Sequence, residues 1–277
     1  MRQIPASGLI FDVSLAGPED GTPVVLLHGF PQDHTCWDEV VADLAAAGYR
    51  TIAPDLRGYS PGARPPRAAD YQQGAIVADV LGLLDVLGHD SAHIIGHDWG
   101  GASAWALASA APDRVRTLSV LSTPYPAAMA AVALRSTQLL KSWYMGLFQI
   151  PLVAERALQP GGPMWRAMMR GLPRASVERY TANASAPGAL SAMLRWYRAA
   201  PLDFRRPSVG WHRITVRTLY IWGQDDPALG KAAAEATARY VTGPYTFVAL
   251  PGQGHWLPER AAEEVVPLLL EHLGGDL

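Results

Sequence analysis

The sequence predicts an α/β domain with a doubly wound, mostly parallel sheet, interrupted by an inserted helical cap. Three observations lead there. Short apolar runs alternate with helix-spaced segments at both ends of the chain, the pattern of βαβ units with right-handed crossovers. Between 124 and 210 that alternation stops, leaving helix-like pieces rich in Met, Trp, Tyr and Arg. In the first half, His93-Ile94-Ile95-Gly96-His97-Asp98-Trp99-Gly100-Gly101 precedes an Ala-rich run and reads as a buried strand, a sharp turn and a closely packed helix. The expected organisation is a first core part over 1–123, a cap over 124–210 and a second core part over 211–277.

Each element has a local reason. Gly8 to Leu15 alternates weakly and runs into the turn Ala16-Gly17-Pro18-Glu19-Asp20-Gly21, which predicts an N-terminal edge strand. Val24-Val25-Leu26-Leu27 is an unbroken apolar run, suited to a central parallel strand buried on both faces, and leads into His28-Gly29-Phe30-Pro31. A helix is expected from Trp37 to Ala47, stopped by Gly48, then a short strand at Thr51-Ile52-Ala53. Ile76, Val80, Leu83, Leu84 and Leu87 share one helical face, with Gly88 just beyond. After the strand and turn around Asp98 come a helix from Ala102 to Ala110 and a strand from Val115 to Leu121. Beyond the cap, strands are expected from Arg217 to Trp222 and Tyr245 to Leu250, with helices from about Leu229 to Tyr240 and Glu259 to Leu273.

Composition narrows the function. A chain of 277 residues with 49% hydrophobic content is globular and can bury a sizeable core. No uncharged run reaches the ~20 residues that a membrane-spanning helix needs. Met1 to Ile10 lacks a basic segment followed by an apolar one, so a soluble cytoplasmic protein without a signal peptide is expected. A net charge of -2 with dispersed signs offers no footprint for nucleic acid, and a small neutral ligand fits better. Cys36 is the one cysteine, which excludes an intrachain disulfide and reads as a small buried filler. Oligomeric state is left open.

Gly96-x-Asp98-x-Gly100 would expose one side chain at the C-terminal end of a strand. A serine there attacks acyl carbons, whereas a carboxylate suits displacement at a saturated carbon and leaves an alkyl ester of the enzyme. Epoxides and alkyl halides are the natural targets. Alone, the pattern is as well explained by a turn with an Asp helix cap. Two later loops change the balance: Trp222-Gly223-Gln224-Asp225-Asp226-Pro227 supplies an acid and Gly252-Gln253-Gly254-His255-Trp256 a base, in the chain order of a nucleophile–acid–His triad. Asp226 is preferred over Asp225 because the residue before a proline tends to be extended. Backbone N–H groups of Phe30 and Trp99 are the expected oxyanion donors, with Pro31 shaping the loop. His28 and His97 flank the site in structural, hydrogen-bonded roles.

With these residues the chain resembles an α/β-hydrolase of the epoxide hydrolase branch, over nearly its full length. The resemblance implies two cap tyrosines that hydrogen-bond and protonate the epoxide oxygen. Tyr144-Met145-Gly146-Leu147-Phe148-Gln149 and Trp196-Tyr197-Arg198 match the segments that carry them, so those roles fall to Tyr144 and Tyr197. By spacing alone, Tyr144 shares a helical face with Leu140, Leu147 and Phe148, and Tyr197 one with Leu190, Met193 and Leu194, which two core tyrosines bonded to backbone would also satisfy. Tyr180 is read as structural. Pro31, Trp143, Phe148 and Trp256 are expected along the substrate pocket. Met145, Trp165, Met168, Met169 and Met193 are equally well explained by a packed cap core. Asp55-Leu56-Arg57-Gly58 is expected to hold an Asp–Arg ion pair.

The implied activity is addition of water to a small apolar epoxide, giving a vicinal diol through an ester on Asp98, with no cofactor or metal required. No His and carboxylate cluster has metal-ligand spacing in the sequence. A haloalkane dehalogenase would share the Asp, the following Trp and the His, but that family commonly holds halide with a second donor, often Asn, where Phe30 stands. A fluoroacetate dehalogenase would carry Arg at Trp99. A non-catalytic small-molecule receptor needs no intact set of nucleophile, base and oxyanion donors. An epoxide-opening cyclase, using a substrate hydroxyl in place of water, stays open on the sequence.

Overall fold

A computed structural model describes residues 1–135, 141 and 143–275. Its sheet has eight strands in the order β1-β2-β4-β3-β5-β6-β7-β8. They are β1 (Arg2–Ala6), β2 (Leu9–Ala16), β3 (Pro23–Leu27), β4 (Arg50–Pro54), β5 (Ala92–His97), β6 (Val115–Leu121), β7 (Thr218–Gly223) and β8 (Tyr245–Leu250). Pairing from β4 through β8 is parallel, and β2 runs antiparallel to both its neighbours. Every residue of β3, β5 and β7 is buried, as expected of strands covered on both faces.

The N-terminus corrects the sequence reading. The strand expected at the edge, β2, lies one place inside it, because β1 folds back along it through a tight turn in which Ser7 and Gly8 have φ of 50° and 74°. Pro5 hid β1 from a pattern search, and it is tolerated because an edge strand leaves one side of its backbone unpaired. The helices covering the sheet are α1 (Asp38–Ala46), α2 (Gln73–Leu87) and α3 (Trp99–Ala110). Gly88, at φ 78°, ends α2 in the left-handed conformation that favours glycine.

Among the described residues, the chain between β6 and β7 forms α4 (Pro126–Val132), α5 (Trp143–Phe148), α6 (Val153–Ala157), α7 (Pro163–Met168), α8 (Arg174–Ser185) and α9 (Ala189–Arg205). Trp165, Tyr180, Met193 and Trp196 are buried within this layer. It is tied to loops that follow strand C-termini. Asn183 donates to Asp33 after β3, Trp196 Nε1 to the carbonyl of Arg57 after β4 (2.7 Å), and Tyr180 to Glu259 after β8 (2.9 Å). The helical layer therefore covers the end of the sheet where α/β proteins bind ligands. After β7 come α10 (Lys231–Ala236), α11 (Leu257–Arg260) and α12 (Ala262–Gly274), the last two separated at Ala261 where one helix was expected.

Asp55 and Arg57 do not pair with each other. Asp55 accepts from His34 Nδ1 at 2.8 Å, while Arg57 turns inward to a two-pronged contact with Asp79 of α2, at 2.6 and 2.7 Å. A guanidinium fork matches a carboxylate in its own plane, which the neighbouring Asp55 cannot offer. No helix among the described residues is long and apolar enough to cross a membrane.

Candidate active site

Asp98 occupies the corner between β5 and α3, with φ 51° and ψ −121°, a region that non-glycine residues rarely enter. Packing holds it there. α3 is buried from Gly100 to Ser109, and the corner is drawn so tight that a Cβ on Gly96 would lie 2.4 Å from the Gly100 carbonyl oxygen and one on Gly100 2.1 Å from that of Leu27. Glycine at these two positions lets β5, α3 and β3 meet.

Around this corner the expected residues converge. Asp98 Oδ1 accepts the backbone N–H of Phe30 at 2.8 Å, and Oδ2 lies 3.5 Å from His255 Nε2. His255 Nδ1 donates to Asp226 Oδ2 at 2.8 Å. The other Asp226 oxygen takes the N–H groups of Ala228 (2.7 Å) and Leu229 (2.9 Å), so the carboxylate is fixed at both ends. Asp225, by contrast, points to solvent. Trp99, directly after the nucleophile, begins α3, so its N–H has no intrahelical acceptor. Phe30 and Trp99 both pack on the Tyr197 ring, at centroid separations of 5.2 and 5.0 Å.

Charge is arranged around the imidazole. Burial drives His255 toward neutrality, but the charges and hydrogen bonds of Asp226 and Asp98 outweigh it and hold the pKa well above the ordinary value. Burial would raise Asp98, yet the His255 contact overrides it and keeps the carboxyl low, so the nucleophile is ionised. Burial, then the Asp98 charge, pushes Tyr144 and Tyr197 up, so both remain neutral donors. Their rings meet edge to face at 6.1 Å. Leu140, the residue expected on the Tyr144 face, lies outside the described residues; Phe148 packs on both tyrosines.

His28 and His97 are buried and hydrogen-bonded. His28 Nε2 accepts the N–H of Leu56 at 3.0 Å, and His97 lies 2.9 Å from Gln32 Oε1 and 2.8 Å from the His255 carbonyl. Burial, reinforced by His255, lowers His97 to about 4, so it is neutral.

Comparison with known proteins agrees with this geometry. Residues 22–261 match the family model of the α/β hydrolase fold. Epoxide hydrolase A of Mycobacterium tuberculosis is 32% identical over 99% of this chain and 97% of its own length. A Bacillus subtilis protein named as an AB hydrolase superfamily member, YfhM, is 34% identical over 98% of this chain and 96% of that protein. The crystal structure of epoxide hydrolase A from Mycobacterium thermoresistibile superposes with a TM-score of 0.85 at 29% identity, covering 99% and 98% of the two chains. The chain belongs to the α/β-hydrolase family, in its epoxide hydrolase branch.

The hydrolase has a cavity of about 310 Å³ at Asp98. Asp98, Trp99, Thr123, Tyr144 and Tyr197 line it together with apolar Met129, Met145, Leu229 and Phe204. The pocket residues expected from sequence need correction, since Pro31, Trp143, Phe148 and Trp256 are not among those lining it. Trp143 is 63% exposed on the outside of α5. Phe148 is buried behind the two tyrosines and Trp256 packs on the rings of His97 and His255, so both support the site from outside the cavity. Pro31 is buried in the loop after β3. Met129, Leu229 and Phe204 were missed because only the docking of α4, α9 and the β7–α10 loop brings them to Asp98. Asp33, His34 and Asp55 also come within reach of one ion, which their sequence spacing did not announce. Their ligand atoms already serve one another and Thr35 and Asn183.

Proposed function

We propose that this hydrolase opens a small, neutral, apolar epoxide to a vicinal diol through an alkyl ester on Asp98. The observation that carries the reading is an ionised carboxylate at the corner of the elbow, backed by His255 and Asp226 and sharing its cavity with two neutral tyrosine hydroxyls. Asp98 attacks a ring carbon from the side opposite the oxygen. The carbon–oxygen bond breaks, its electron pair stays on the oxygen, and Tyr144 or Tyr197 donates the proton while the other supports it with a hydrogen bond. The tyrosinate so formed regains a proton from the His255 imidazolium, which leaves the imidazole free as a base. His255 then takes a proton from water, and the resulting hydroxide attacks Cγ of the ester, the charge that builds on its oxygen being met by the N–H groups of Phe30 and Trp99. Collapse breaks the Cγ–O bond to the alkyl group, the departing oxygen takes the hydroxyl proton of the tetrahedral intermediate, and Asp98 is left as a carboxylate beside the His255 imidazolium. One diol oxygen thus originates in Asp98.

An apolar wall favours a neutral substrate, because a charged group buried there would lose its hydration without a partner. We place the protein in the cytoplasm, a reading supported by the buried, unpaired thiol of Cys36. The decisive experiment is a single turnover of styrene oxide in water labelled with oxygen-18. Unlabelled diol, with label entering the peptide that contains Asp98, is the expected result. Labelled diol in the first turnover would mean direct attack by water and end the proposal.

A further inference from the structure

The two residues that follow β6 touch both halves of the catalytic machinery by their hydroxyl groups, and nothing in the motifs announces them. Ser122 Oγ donates to the carbonyl of His255 at 2.9 Å, and Thr123 Oγ1 donates to the carbonyl of Asp98 at 2.7 Å. Neither residue can drift. Ser122 is fully buried, its N–H donates to Ile221 of β7 at 2.8 Å, and its carbonyl takes the hydroxyl of Tyr220 at 2.9 Å. The Thr123 carbonyl takes Trp105 Nε1 of α3 at 2.9 Å.

Ser122 is also one of the few non-glycine residues with positive φ, at 67°. That conformation is strained for a residue with a side chain and persists only where the surroundings impose it. Here it turns adjacent side chains toward different targets, one to the base and the other to the nucleophile. The Asp98 carbonyl is itself at a strained corner, and its other bond is the first helical one, to Ala102 at 3.0 Å. The His255 carbonyl has His97 as its second neighbour at 2.8 Å.

We propose that Ser122 and Thr123 are positioning residues that serve different steps: Thr123 sets the aim of Asp98 for formation of the ester, and Ser122 sets His255 for its hydrolysis. The division follows from which group each step requires. Attack on the epoxide needs the Asp98 carboxylate aligned within a few tenths of an ångström, whereas His255 takes no proton in that step. Hydrolysis needs His255 Nε2 within reach of a water at Cγ. This inference rests on the two-step reading above.

The test is single-turnover kinetics with styrene oxide, following ester formation and decay by intact-protein mass, on the wild type and four variants. Ser122→Ala should slow ester decay about tenfold, the effect of one lost hydrogen bond, and formation clearly less, since a displaced imidazolium still lies beside Asp98. Ser122→Gly relieves the positive φ yet lacks the hydroxyl, so it should show the same slowed decay. Thr123→Val should slow formation about tenfold, and Thr123→Ser should restore it. Equal slowing of both steps in every variant, or normal decay in Ser122→Gly, would overturn the assignment. Crystal structures of the wild type, Ser122→Ala and Thr123→Val give a readout that needs no turnover. The Ser122 variant should displace His255 from its 3.5 Å approach to Asp98 and the Thr123 variant should displace the Asp98 carboxylate; unmoved side chains would refute the positioning role. A wild type that forms no ester from epoxides would instead refute the proposed function, with these structures still deciding the present one.

Discussion

Replacing Glu259 with Gln should remove a pH-dependent loss of stability built into the joint between cap and core. Glu259 is half-buried as a residue, but its carboxyl end is sealed. Oε1 accepts Gln32 Nε2 at 2.8 Å and the Tyr180 hydroxyl at 2.9 Å, while Oε2 is shut from solvent without a hydrogen-bond partner. Burial outweighs those two bonds and pushes the carboxyl from 4.5 to about 7. The other titratable groups acting on this cluster are His255, which favours the ionised form of Glu259, together with Asp33 and the buried thiol of Cys36. The native state thus holds the Glu259 proton more tightly than the unfolded chain. Its stabilising contribution is complete below 4.5 and is lost as pH rises through about 7. At about 1.4 kcal/mol for each tenfold change in proton affinity, the loss amounts to about 3 kcal/mol. Gln keeps an oxygen for Gln32 and Tyr180 and cannot ionise. Urea unfolding followed by tryptophan fluorescence, from about pH 4.5 to about pH 8, should show the variant gaining about 3 kcal/mol relative to the wild type as pH rises. A difference that stays flat with pH would mean that the native carboxyl titrates normally, and the argument from the sealed Oε2 would fail.

Other substitutions probe the chemistry directly. His255→Gln should still form the ester but hydrolyse it at least about 10³-fold more slowly, so that intact mass reveals alkylated protein; an unmodified variant after incubation with epoxide would contradict the role of the base. Tyr144→Phe and Tyr197→Phe should each slow ester formation by about 10²-fold, and the double variant should form none detectable, since either hydroxyl can partly cover for the other. Normal formation in both single variants would remove the tyrosines from the reaction. In Gly29→Ala the new Cβ would lie 2.3 Å from Asp98 Cβ and 2.4 Å from Oδ1, driving the carboxylate off the Phe30 N–H. We expect about a 10²-fold fall in kcat with a Tm change of a few degrees, and an active variant would mean that the nucleophile tolerates displacement.

Legibility in the sequence followed the range of the forces involved. The corner at Asp98 could be read because close backbone approach demands Gly96 and Gly100 within five residues, and Asp226 because Pro227 constrains the residue before it. His255 was found through chain order and glycine flanks. Residues whose place depends on docking could not be read. Phe148 lies behind Tyr144 instead of inside the cavity, and Trp143 faces solvent, because the helical face of α5 that turns inward is chosen by α9, whose Arg198 Nε donates to the Phe148 carbonyl at 3.1 Å. Arg57 found Asp79 in place of Asp55 for the same reason: its partner sits on α2, twenty-two residues away. β1 escaped notice because strand propensity is a local signal and Pro5 silences it, while the pairing with β2 that sustains it is tertiary.

The electrostatics of the site connect its two chemical steps. In the resting enzyme His255 lies between the carboxylates of Asp226 and Asp98, whose charges together hold it as an imidazolium against the pull of burial. In that form it cannot act as a base, but it keeps Asp98 ionised and ready to attack. Ester formation neutralises Asp98 and removes one of the two charges. Burial, the largest single influence on His255, is then opposed by Asp226 alone, and the imidazole releases its proton more readily. The base needed for hydrolysis therefore becomes available because the nucleophile has reacted. The proton taken from water restores the imidazolium, and the bonds from Ala228 and Leu229 hold the Asp226 side chain in place to meet it.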